Sequence, residues 1–320
     1  MKILYGIQGT GNGHLSRSSK IINKLKKIGC DVDIIVSGNF HQIDIPHDVK
    51  YNLKGFSFTY NQDGSINKLK TFLNSDFVTF LKDIKIELKE YDRIISDFEP
   101  ITSWASKFQS AKSYGISNQY SFLSKKLPRP DNTRLIDEFV IKNFAPCEKY
   151  FGLSYETFDD FIYTPIIRDD ILKNTSSKQD HYVIYLPNKP VLSYLKLLNH
   201  FSKVPFITFS NEVTKTHTYR NVKIIPIDKN IFLDHFLNCQ GIITNSGFQT
   251  TSEAIFLNKK VLSIPIKGQY EQEVNANLLK KFGVKIGNIE DISDFILSSK
   301  IPQKVNWIDP TTNIINQILS

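Results

Sequence analysis

The chain contains little cysteine and no long apolar segment. Its 320 residues include three cysteines, which are far apart at positions 30, 147 and 239. A disulfide framework is therefore excluded, and we expect reduced thiols that serve in packing. No apolar run reaches the ~18 residues of a membrane-spanning helix, and the amino terminus has no signal-peptide pattern. We expect a cytoplasmic protein, attached at most peripherally to the inner face of a membrane.

Motifs for metals, dinucleotides and nucleic acids are also missing. The 7 histidines are scattered without metal-ligand spacing. The glycines at positions 9, 11 and 13 do not form G-x-G-x-x-G, and no Walker lysine follows them. No basic and aromatic platform accompanies the lysines. We therefore expect no metal, no cofactor and no nucleic-acid partner.

Positive charge is in excess, mainly in the first half of the chain. The net charge is +8, and residues 1–150 carry 22 Lys and Arg against 16 Asp and Glu, compared with 18 against 16 in residues 151–320. Basic residues cluster within 20–27 and 125–134. Solvated lysines explain such clusters, and so does contact with an anionic lipid headgroup or a charged acceptor. Composition leaves both explanations open.

The order of apolar segments indicates an α/β protein with two domains. In the first half, strands are predicted at 2–7, 32–36 and 93–96, and helices at 76–88 and 132–143. In the second half, strands are predicted at 182–186, 205–209, 222–227, 241–244 and 261–266, with room between them for right-handed crossovers. The predicted domains are two doubly wound Rossmann-like units at 1–165 and 166–308, with a helix at 309–320 that packs back onto the first.

A glycine-rich turn follows the first strand. The sequence G-T-G-N-G-H leads from that strand into a helix with one apolar face. The glycines allow the backbone of Gly11, Asn12 and Gly13 to approach a ligand closely. His14 then lies at a helix amino terminus, where the neutral imidazole is favoured and can accept a proton. His14 is therefore the candidate catalytic base, and a histidine that merely caps the helix is the alternative.

A second polar turn follows the apolar residues 242–244. The sequence T-N-S-G-F-Q-T-T-S-E-A passes from that strand into a helix. Free N–H groups at a helix start suit a diphosphate, and Glu253, one turn inside, is placed to accept hydrogen bonds from a ribose diol. Ordinary capping explains Ser246 or Thr250 but leaves Glu253 without a role. The stretch indicates a nucleotide-sugar site.

These segments resemble those of UDP-glycosyltransferases and glycosyltransferase family 28, which have the GT-B fold of two Rossmann-like domains facing a central cleft. The resemblance covers both chain ends and the whole second half. It implies an inverting, metal-independent glycosyltransferase whose co-substrate is a nucleotide-sugar, with a UDP-sugar as the expected donor. Asn245 stands where many relatives have a phosphate-contacting histidine, and Gln249 replaces an asparagine. The donor contacts implied by the resemblance are Asn245, Ser246, Gly247, Gln249, Thr250 and Glu253, with Glu271 and Gln272 on the donor sugar. The backbone of Gly11, Asn12 and Gly13 in the first glycine-rich turn is also expected to bind the donor.

The resemblance implies three further donor contacts. The sequence Y-T-P-I-I-R at 163–168 resembles the N-P-V-R segment that enters the donor domain of family 28 enzymes, so Arg168 would face the diphosphate. A solvated arginine is the alternative. Asn188 stands where many relatives have a glycine-rich turn, and Ile227 matches a position whose backbone holds the base.

Two carboxylates follow the predicted strand at 93–96. The sequence R-I-I-S-D-F-E-P should present Asp97 and Glu99 at the carboxyl edge of the sheet, where ligands collect. In some relatives an Asp of this domain orients the catalytic histidine, which makes Asp97 the candidate partner of His14. Glu99 is the rival for that role, and simple capping of the helix after Pro100 is the third possibility.

The resemblance implies that His14 deprotonates an acceptor hydroxyl while the donor contacts stabilise the departing diphosphate. The expected partners are a nucleotide-sugar donor, a lipid or glycan acceptor and an anionic membrane surface. Two alternatives stay open. A nucleotide-sugar hydrolase of the same fold would use His14 and Arg17 to activate water, and a non-catalytic nucleotide-sugar binding protein would keep the donor site without turnover.

Overall fold

The computed structural model describes residues 1–38, 46–56, 76–131, 134–177 and 179–320. The chain forms two compact units. The first contains the described residues up to 168 together with 308–320, and the second contains those from 169 to 307. Residues 39–45 and 57–75 lie outside the described residues, and they include most of the segment 39–74 in which acceptor loops are expected.

The first unit is built on a parallel sheet with helices on its faces. Its strands are β1 (Lys2–Gln8), β2 (Asp31–Ser37), β3 (Tyr51–Leu53), β4 (Arg93–Asp97), β5 (Ser113–Ser117), β6 (Lys149–Leu153) and β7 (Ile162–Tyr163), and its helices are α1 (Asn12–Lys27), α2 (Phe77–Asp83), α3 (Pro100–Gln109) and α4 (Leu135–Phe144). The strand order is β3-β2-β1-β4-β5-β6-β7, and the pairings are parallel.

The winding direction of this sheet reverses at its centre. β1 pairs with β2 on one side and with β4 on the other. In doubly wound sheets, ligands bind outside the carboxyl ends of the strands at this point. The register pairs Ile7 with Asp97, so the turn that follows β1 lies next to the carboxyl end of β4.

The second unit repeats the doubly wound plan. Its elements are α5 (Asp169–Leu172), β8 (Tyr182–Tyr185), α6 (Leu192–Asn199), β9 (Phe206–Ser210), β10 (His217–Tyr219), β11 (Val222–Pro226), α7 (Lys229–Asn238), β12 (Gly241–Asn245), α8 (Phe248–Phe256), β13 (Lys260–Ile264), α9 (Tyr270–Lys280), β14 (Lys285–Ile286) and α10 (Ile292–Leu297). The strand order is β10-β11-β9-β8-β12-β13-β14, with β10 antiparallel to β11. The winding reverses between β8 and β12.

A buried lysine ties together three segments of the second unit. The ammonium of Lys259 donates to the carbonyl oxygens of Ser177 at 2.6 Å, Leu237 at 2.6 Å and Cys239 at 2.9 Å. The side chain is fully buried. A buried charge must be compensated by hydrogen bonds. The ammonium therefore holds the end of α7, at Leu237 and Cys239, close to Ser177 in the segment before β8.

The C-terminal helix α11 (Thr311–Leu319) belongs to the first unit. Ile318 is fully buried, and its carbonyl oxygen accepts a hydrogen bond from Arg93 Nε at 3.1 Å. Gln317 Nε2 donates to the Tyr163 hydroxyl at 2.8 Å. Apolar burial and two polar contacts therefore hold the last helix against β4 and β7.

Candidate active site

The turn between β1 and α1 places His14 beside the end of β4. The backbone N–H of Gly9 donates to Ser37 O at 2.7 Å. A Cβ at Gly9 would lie 2.8 Å from the Gly38 carbonyl oxygen, which is closer than real Cβ contacts. Glycine therefore permits this close approach of the two loops, and α1 begins immediately afterwards with His14 in its first turn.

His14 contacts Asp97 directly. His14 Nδ1 lies 2.7 Å from Asp97 Oδ1. The carboxylate is fully buried, whereas the His14 side chain is 14 % exposed. With Nδ1–H donating to the carboxylate, Nε2 is the nitrogen with a lone pair that can accept a proton. This arrangement can perform general-base chemistry at the carboxyl edge of the sheet.

Two more side chains of α1 bind the same carboxylate. Arg17 donates from Nε to Asp97 Oδ2 at 3.1 Å and from Nη2 to Oδ1 at 2.5 Å, and the Ser18 hydroxyl donates to Oδ2 at 2.8 Å. Burial alone would raise the pKa of Asp97, but the charge of Arg17, with His14 and the hydrogen bonds, outweighs burial and lowers it. Asp97 is therefore held as a carboxylate.

Glu99 has a different task from Asp97. It is the N-cap of α3, and its two carboxylate oxygens accept from the backbone N–H groups of Ile101 at 2.8 Å and Thr102 at 2.7 Å. The Ser37 hydroxyl also donates to it, at 2.6 Å. Burial raises the pKa of Glu99, although the hydrogen bonds from Ser37 and Thr102 oppose this. Of the two carboxylates, Asp97 contacts His14, and Glu99 caps a helix.

Phe98 explains why these neighbouring carboxylates diverge. Its φ is +54°, which lies in the left-handed region that bulky residues rarely adopt. The Phe98 ring packs against Tyr120 at 5.7 Å and Phe144 at 5.0 Å between centroids. Ring packing therefore supports a strained turn that sends Asp97 toward α1 and Glu99 toward Ser37.

The amino terminus of α1 contains the other predicted contacts of this unit. Gly11 is the N-cap, and within the described residues no side chain caps this helix end. Gly11, Asn12 and Gly13 are all partly exposed. The first turn of α1 thus presents backbone N–H groups and its positive dipole end at the surface that bears His14.

In the second unit, the turn between β12 and α8 has the same design. Gly247 is the N-cap of α8, and no side chain of the described residues caps that helix end. A Cβ placed on Gly247 would meet no atom within 4 Å. Gly247 itself is thus unobstructed, and the first turn of α8 carries the positive dipole end that suits an anion.

Asn245 and Ser246 are committed to the fold. Asn245 Nδ2 donates to Ile264 O at 3.0 Å, and the Ser246 hydroxyl lies 2.7 Å from that of Ser263. Both residues are buried. These bonds connect β12 with β13, so the side chains brace the turn and one amide proton of Asn245 is already used.

Gln249 and Glu253 are neighbours one turn apart on α8. Gln249 Nε2 donates to Glu253 Oε1 at 2.7 Å, and both side chains are buried. Thr250, between them in sequence, is partly exposed. The bond holds the Glu253 carboxylate in one orientation, which is what recognition of a diol by a carboxylate requires.

Gln272 and Glu271 lie at the start of α9. Gln272 Oε1 accepts from the backbone N–H groups of Ser246 at 3.1 Å and Ile266 at 3.0 Å. Gln272 is buried, and Glu271 is partly exposed. The amide of Gln272 therefore joins the turn after β12 to the loop after β13, which brings the two predicted parts of the donor site together.

The remaining predicted donor contacts lie in other segments. Asn188 follows β8 and Ile227 follows β11, and both are partly exposed at the carboxyl ends of their strands. Arg168 is the last residue of the first unit, and its side chain is buried. The alternative that Arg168 is a solvated side chain is therefore wrong.

Sequence reasoning did not connect Arg17 and Ser18 with Asp97, and it did not single out Asn275. Asn275 Nδ2 donates to Ser246 O at 3.1 Å and so supports the turn after β12. Position i+3 from His14 was a usable signal, because Arg17 falls on the same helical face. A charged residue on a face that is otherwise apolar indicates a buried partner.

A metal-binding cluster and a membrane-spanning helix are both absent from the residues that the structure describes. No group of three His, Cys, Asp or Glu side chains is arranged to hold a metal ion in those residues. In the same part of the chain, no helix combines the length and apolar character needed to cross a bilayer.

Comparison with known proteins gives the family. A family model for glycosyl transferase family 1 matches residues 1–302, and no curated protein sequence matches the chain. Similar solved structures include MurG of Acinetobacter baumannii (11% identity, TM-score 0.57, 99% of each chain). They also include the Streptomyces glycosyltransferase SsfS6 with thymidine diphosphate (10%, 0.61, 99% of this chain and 94% of that chain) and Arabidopsis thaliana UGT89C1 with UDP (13%, 0.57, 99% and 93%).

At these identities the structures establish the fold, and the family model covers most of the chain. The resemblance to glycosyltransferases and the expected α/β fold are thereby confirmed. The chain belongs to glycosyl transferase family 1 and is a glycosyltransferase with the GT-B fold.

Proposed function

We propose that the protein is an inverting, metal-independent glycosyltransferase that moves a sugar from a nucleoside diphosphate sugar to an acceptor hydroxyl. The contact of 2.7 Å between His14 and Asp97 carries this proposal. His14 Nε2 removes the hydroxyl proton as the acceptor oxygen forms its bond to the anomeric carbon. The bond from that carbon to the diphosphate oxygen breaks, and the diphosphate departs with the electron pair. A single attack from the face opposite the leaving group inverts the anomeric centre.

The amino terminus of α8 supports the choice of leaving group. Gly247, the N-cap, is unobstructed, and the positive dipole end of the helix with its backbone N–H groups suits phosphate oxygens. Such donors, together with Thr250, would stabilise the negative charge that develops on the diphosphate, which in other enzymes a metal cation does. Two proteins of similar fold, SsfS6 and UGT89C1, were crystallised with thymidine diphosphate and UDP, which favours a nucleoside diphosphate, with UDP as our choice.

Glu253 is proposed to bind the ribose, and Glu271 with Gln272 the donor sugar. Glu253 is buried and oriented by Gln249. Oxygen Oε1 of Gln272 already accepts two backbone bonds, so its Nε2 group is the part that would donate to a sugar hydroxyl. We retain Asn188, Ile227 and Arg168 as proposed donor contacts.

For the acceptor we propose a lipid-borne hydroxyl at an anionic membrane surface. α4 is oriented with apolar residues toward solvent: Ile136 is 79 % exposed and Phe139 is 69 % exposed, whereas Glu138 is buried. On α2, Val78 and Leu81 are exposed. Because water disfavours a surface of this kind, both helices have faces that suit insertion among lipids.

Both helices pack against one shared residue and have exposed lysines on them or next to them in sequence. Phe56 joins them, since its ring lies 4.9 Å from that of Phe80 on α2 and 6.0 Å from that of Phe144 on α4. Arg129 pairs with Glu138 and so attaches the preceding loop to α4. These exposed lysines are Lys82, Lys125, Lys126 and Lys142, of which Lys126 pairs with Asp159 and Lys142 with Glu138. Apolar faces accompanied by exposed lysines match an anionic bilayer, where headgroups attract cations and tails accept apolar side chains.

Nucleotide release from UDP-, GDP- and dTDP-sugars tests the catalytic proposal. Wild type and His14→Ala are assayed with and without a lipid extract and with EDTA. We expect acceptor-dependent release that persists in EDTA and falls about 10²-fold or more in His14→Ala. Equal release without an acceptor would support the hydrolase instead, and donor binding without release would support the non-catalytic binding protein.

Sedimentation with vesicles tests the membrane surface separately. The variant Ile136→Ser/Phe139→Ser is compared with Leu192→Ser/Leu297→Ser, which replaces two exposed apolar residues of the second unit. We expect binding to vesicles containing phosphatidylglycerol, weaker binding to phosphatidylcholine alone, and a loss of about 10-fold or more in the α4 variant only. Equal binding by both variants, or concentration-dependent dimers that the α4 variant abolishes, would refute the membrane assignment.

A further inference from the structure

The carboxylate of Asp97 is shared between His14 and a guanidinium. Arg17 contacts both carboxylate oxygens, through Nε on Oδ2 and Nη2 on Oδ1, while His14 Nδ1 contacts Oδ1. Both Arg17 and Asp97 are buried. A paired donor fork of this kind fixes the plane of the carboxylate as well as its charge.

Arg17 also lies directly against the imidazole. Its Nη2 is 3.2 Å from His14 Nδ1. Since Nδ1–H donates to Asp97 and a guanidinium nitrogen has no acceptor lone pair, this contact brings two donors together and is not a hydrogen bond. When His14 takes up a proton, the new positive charge therefore forms beside an existing one, at a carboxylate that is already neutralised.

We propose that Arg17 is a positioning residue that limits how strongly Asp97 stabilises the protonated form of His14. This inference rests on the proposed function, because it assumes that His14 is the base. In a pair without the guanidinium, the imidazolium would gain the full attraction of a buried carboxylate. Here Asp97 fixes the orientation of the ring, and Arg17 cancels much of the attraction. The guanidinium thereby opposes the addition of a second positive charge at the ring.

Few other titratable groups face this cluster in the described residues. Tyr5 approaches from β1, and burial and the charge of Asp97 raise the pKa of its hydroxyl far above the usual range. Glu99, after β4, binds Ser37 and the start of α3. From β5, the Ser117 hydroxyl lies 3.4 Å from Arg17 Nη2. None of these groups carries a positive charge. Removal of Arg17 would therefore leave the negative charge of Asp97 without a cation other than a protonated His14.

The test is the pH dependence of kcat/KM for nucleotide release in wild type, Arg17→Met and Arg17→Lys. In the profile of kcat/KM against pH, the acidic limb is the fall in rate at low pH. We expect this limb to move up by about one to two pH units in Arg17→Met, because a positive charge within hydrogen-bonding distance of the imidazole is lost. Arg17→Lys keeps the charge, so its limb should stay within about half a unit of wild type. The donor KM should change little in both variants.

An unmoved acidic limb in a folded Arg17→Met protein would overturn the inference, even where turnover falls, because loss of a purely structural arginine changes the rate without moving the limb. If Arg17→Met fails to fold, Arg17→Gln is judged by the same criterion, since its amide still donates to Asp97. Wild-type release that does not depend on His14 would refute the proposed base and this inference together. Release that depends on His14 with an unmoved limb would refute the role of Arg17 alone.

Discussion

Substitution of Glu99 by Gln tests whether the two neighbouring carboxylates, Asp97 and Glu99, have different roles. Each carboxylate oxygen of Glu99 accepts a backbone N–H, Oε1 from Ile101 and Oε2 from Thr102. The hydroxyls of Ser37 and Thr102 add one donor to each oxygen. A Gln side chain offers one acceptor oxygen and one donor NH2 group. In either orientation of the amide, the NH2 group faces a backbone N–H and cannot accept a hydrogen bond from it.

The expected cost follows from this geometry. One buried N–H left without an acceptor costs about 1–3 kcal/mol, and loss of the charge-assisted part of an N-cap costs about 1 kcal/mol more. We therefore expect Glu99→Gln to lower the free energy of unfolding by roughly 2–4 kcal/mol. His14 keeps its own partner, so turnover of the folded fraction should change little.

Urea unfolding and nucleotide release, measured on the same preparations, check both halves of this prediction. Glu148→Gln is the control, because Glu148 is exposed and its substitution should change the free energy of unfolding by less than about 0.5 kcal/mol. Asp97→Asn should show the opposite pattern in activity, with kcat lower by about 10²-fold or more. If Glu99→Gln were as stable as wild type, or lost turnover as Asp97→Asn does, the assignment of the two carboxylates would be wrong.

Three further predictions concern stability. Lys259→Met should cost about 3 kcal/mol or more, because three carbonyls lose a buried ammonium, whereas exposed Lys196→Met should cost under about 0.5 kcal/mol in the same urea titration. Ser110, the C-cap of α3, has φ +52°, so Ser110→Gly should raise the melting temperature, with a gain of about 0.5–1 kcal/mol; a lower melting temperature would contradict this. The pKa of Asp97 is lowered from 3.8 in the folded protein, so its carboxylate stabilises the fold above that pH and loses this contribution as pH falls through the lowered value. The difference in unfolding free energy between wild type and Asp97→Asn should therefore shrink below about pH 4, and a constant difference would contradict the charge assignment.

The strands that carry the site were predictable because their residues are apolar and their ends polar. β1, β4 and β12 were expected within a residue or two of their observed bounds. β5 and β6 were not predicted, since S-Y-G-I-S and K-Y-F-G-L mix small, polar and aromatic residues and owe their conformation to pairing with neighbours. Sheet order likewise depends on contacts that are distant in sequence.

Helix ends show a similar limit. A helix was predicted at 76–88, but α2 ends at Asp83. Beyond it, the Gln109 side chain accepts from Leu88 N at 3.2 Å and donates to Ile86 O at 2.7 Å. A side chain that lies about twenty residues away in sequence thus takes over backbone bonds that a longer helix would have made, which a local pattern cannot reveal.

Within the site, the sequence supplied candidates, and the fold distinguishes among them. From sequence, Asp97 was the candidate partner of His14 and Glu99 its rival, and the pairing of Ile7 with Asp97 and the positive φ of Phe98 give the two carboxylates different partners. The commitment of Asn245 to Ile264 O was equally hidden. The placement of the predicted residues is now known, and their roles stay predictions.

The central claim is that one residue, His14, provides the base and that a separate cluster around Glu253 binds the donor. Its most direct test is to measure UDP binding by calorimetry and turnover with saturating donor for His14→Ala and Glu253→Ala. The account predicts that His14→Ala binds UDP as wild type does while its turnover falls about 10²-fold or more, and that Glu253→Ala binds UDP at least about 10-fold more weakly. Full turnover in His14→Ala, or unchanged UDP binding in Glu253→Ala, would contradict it.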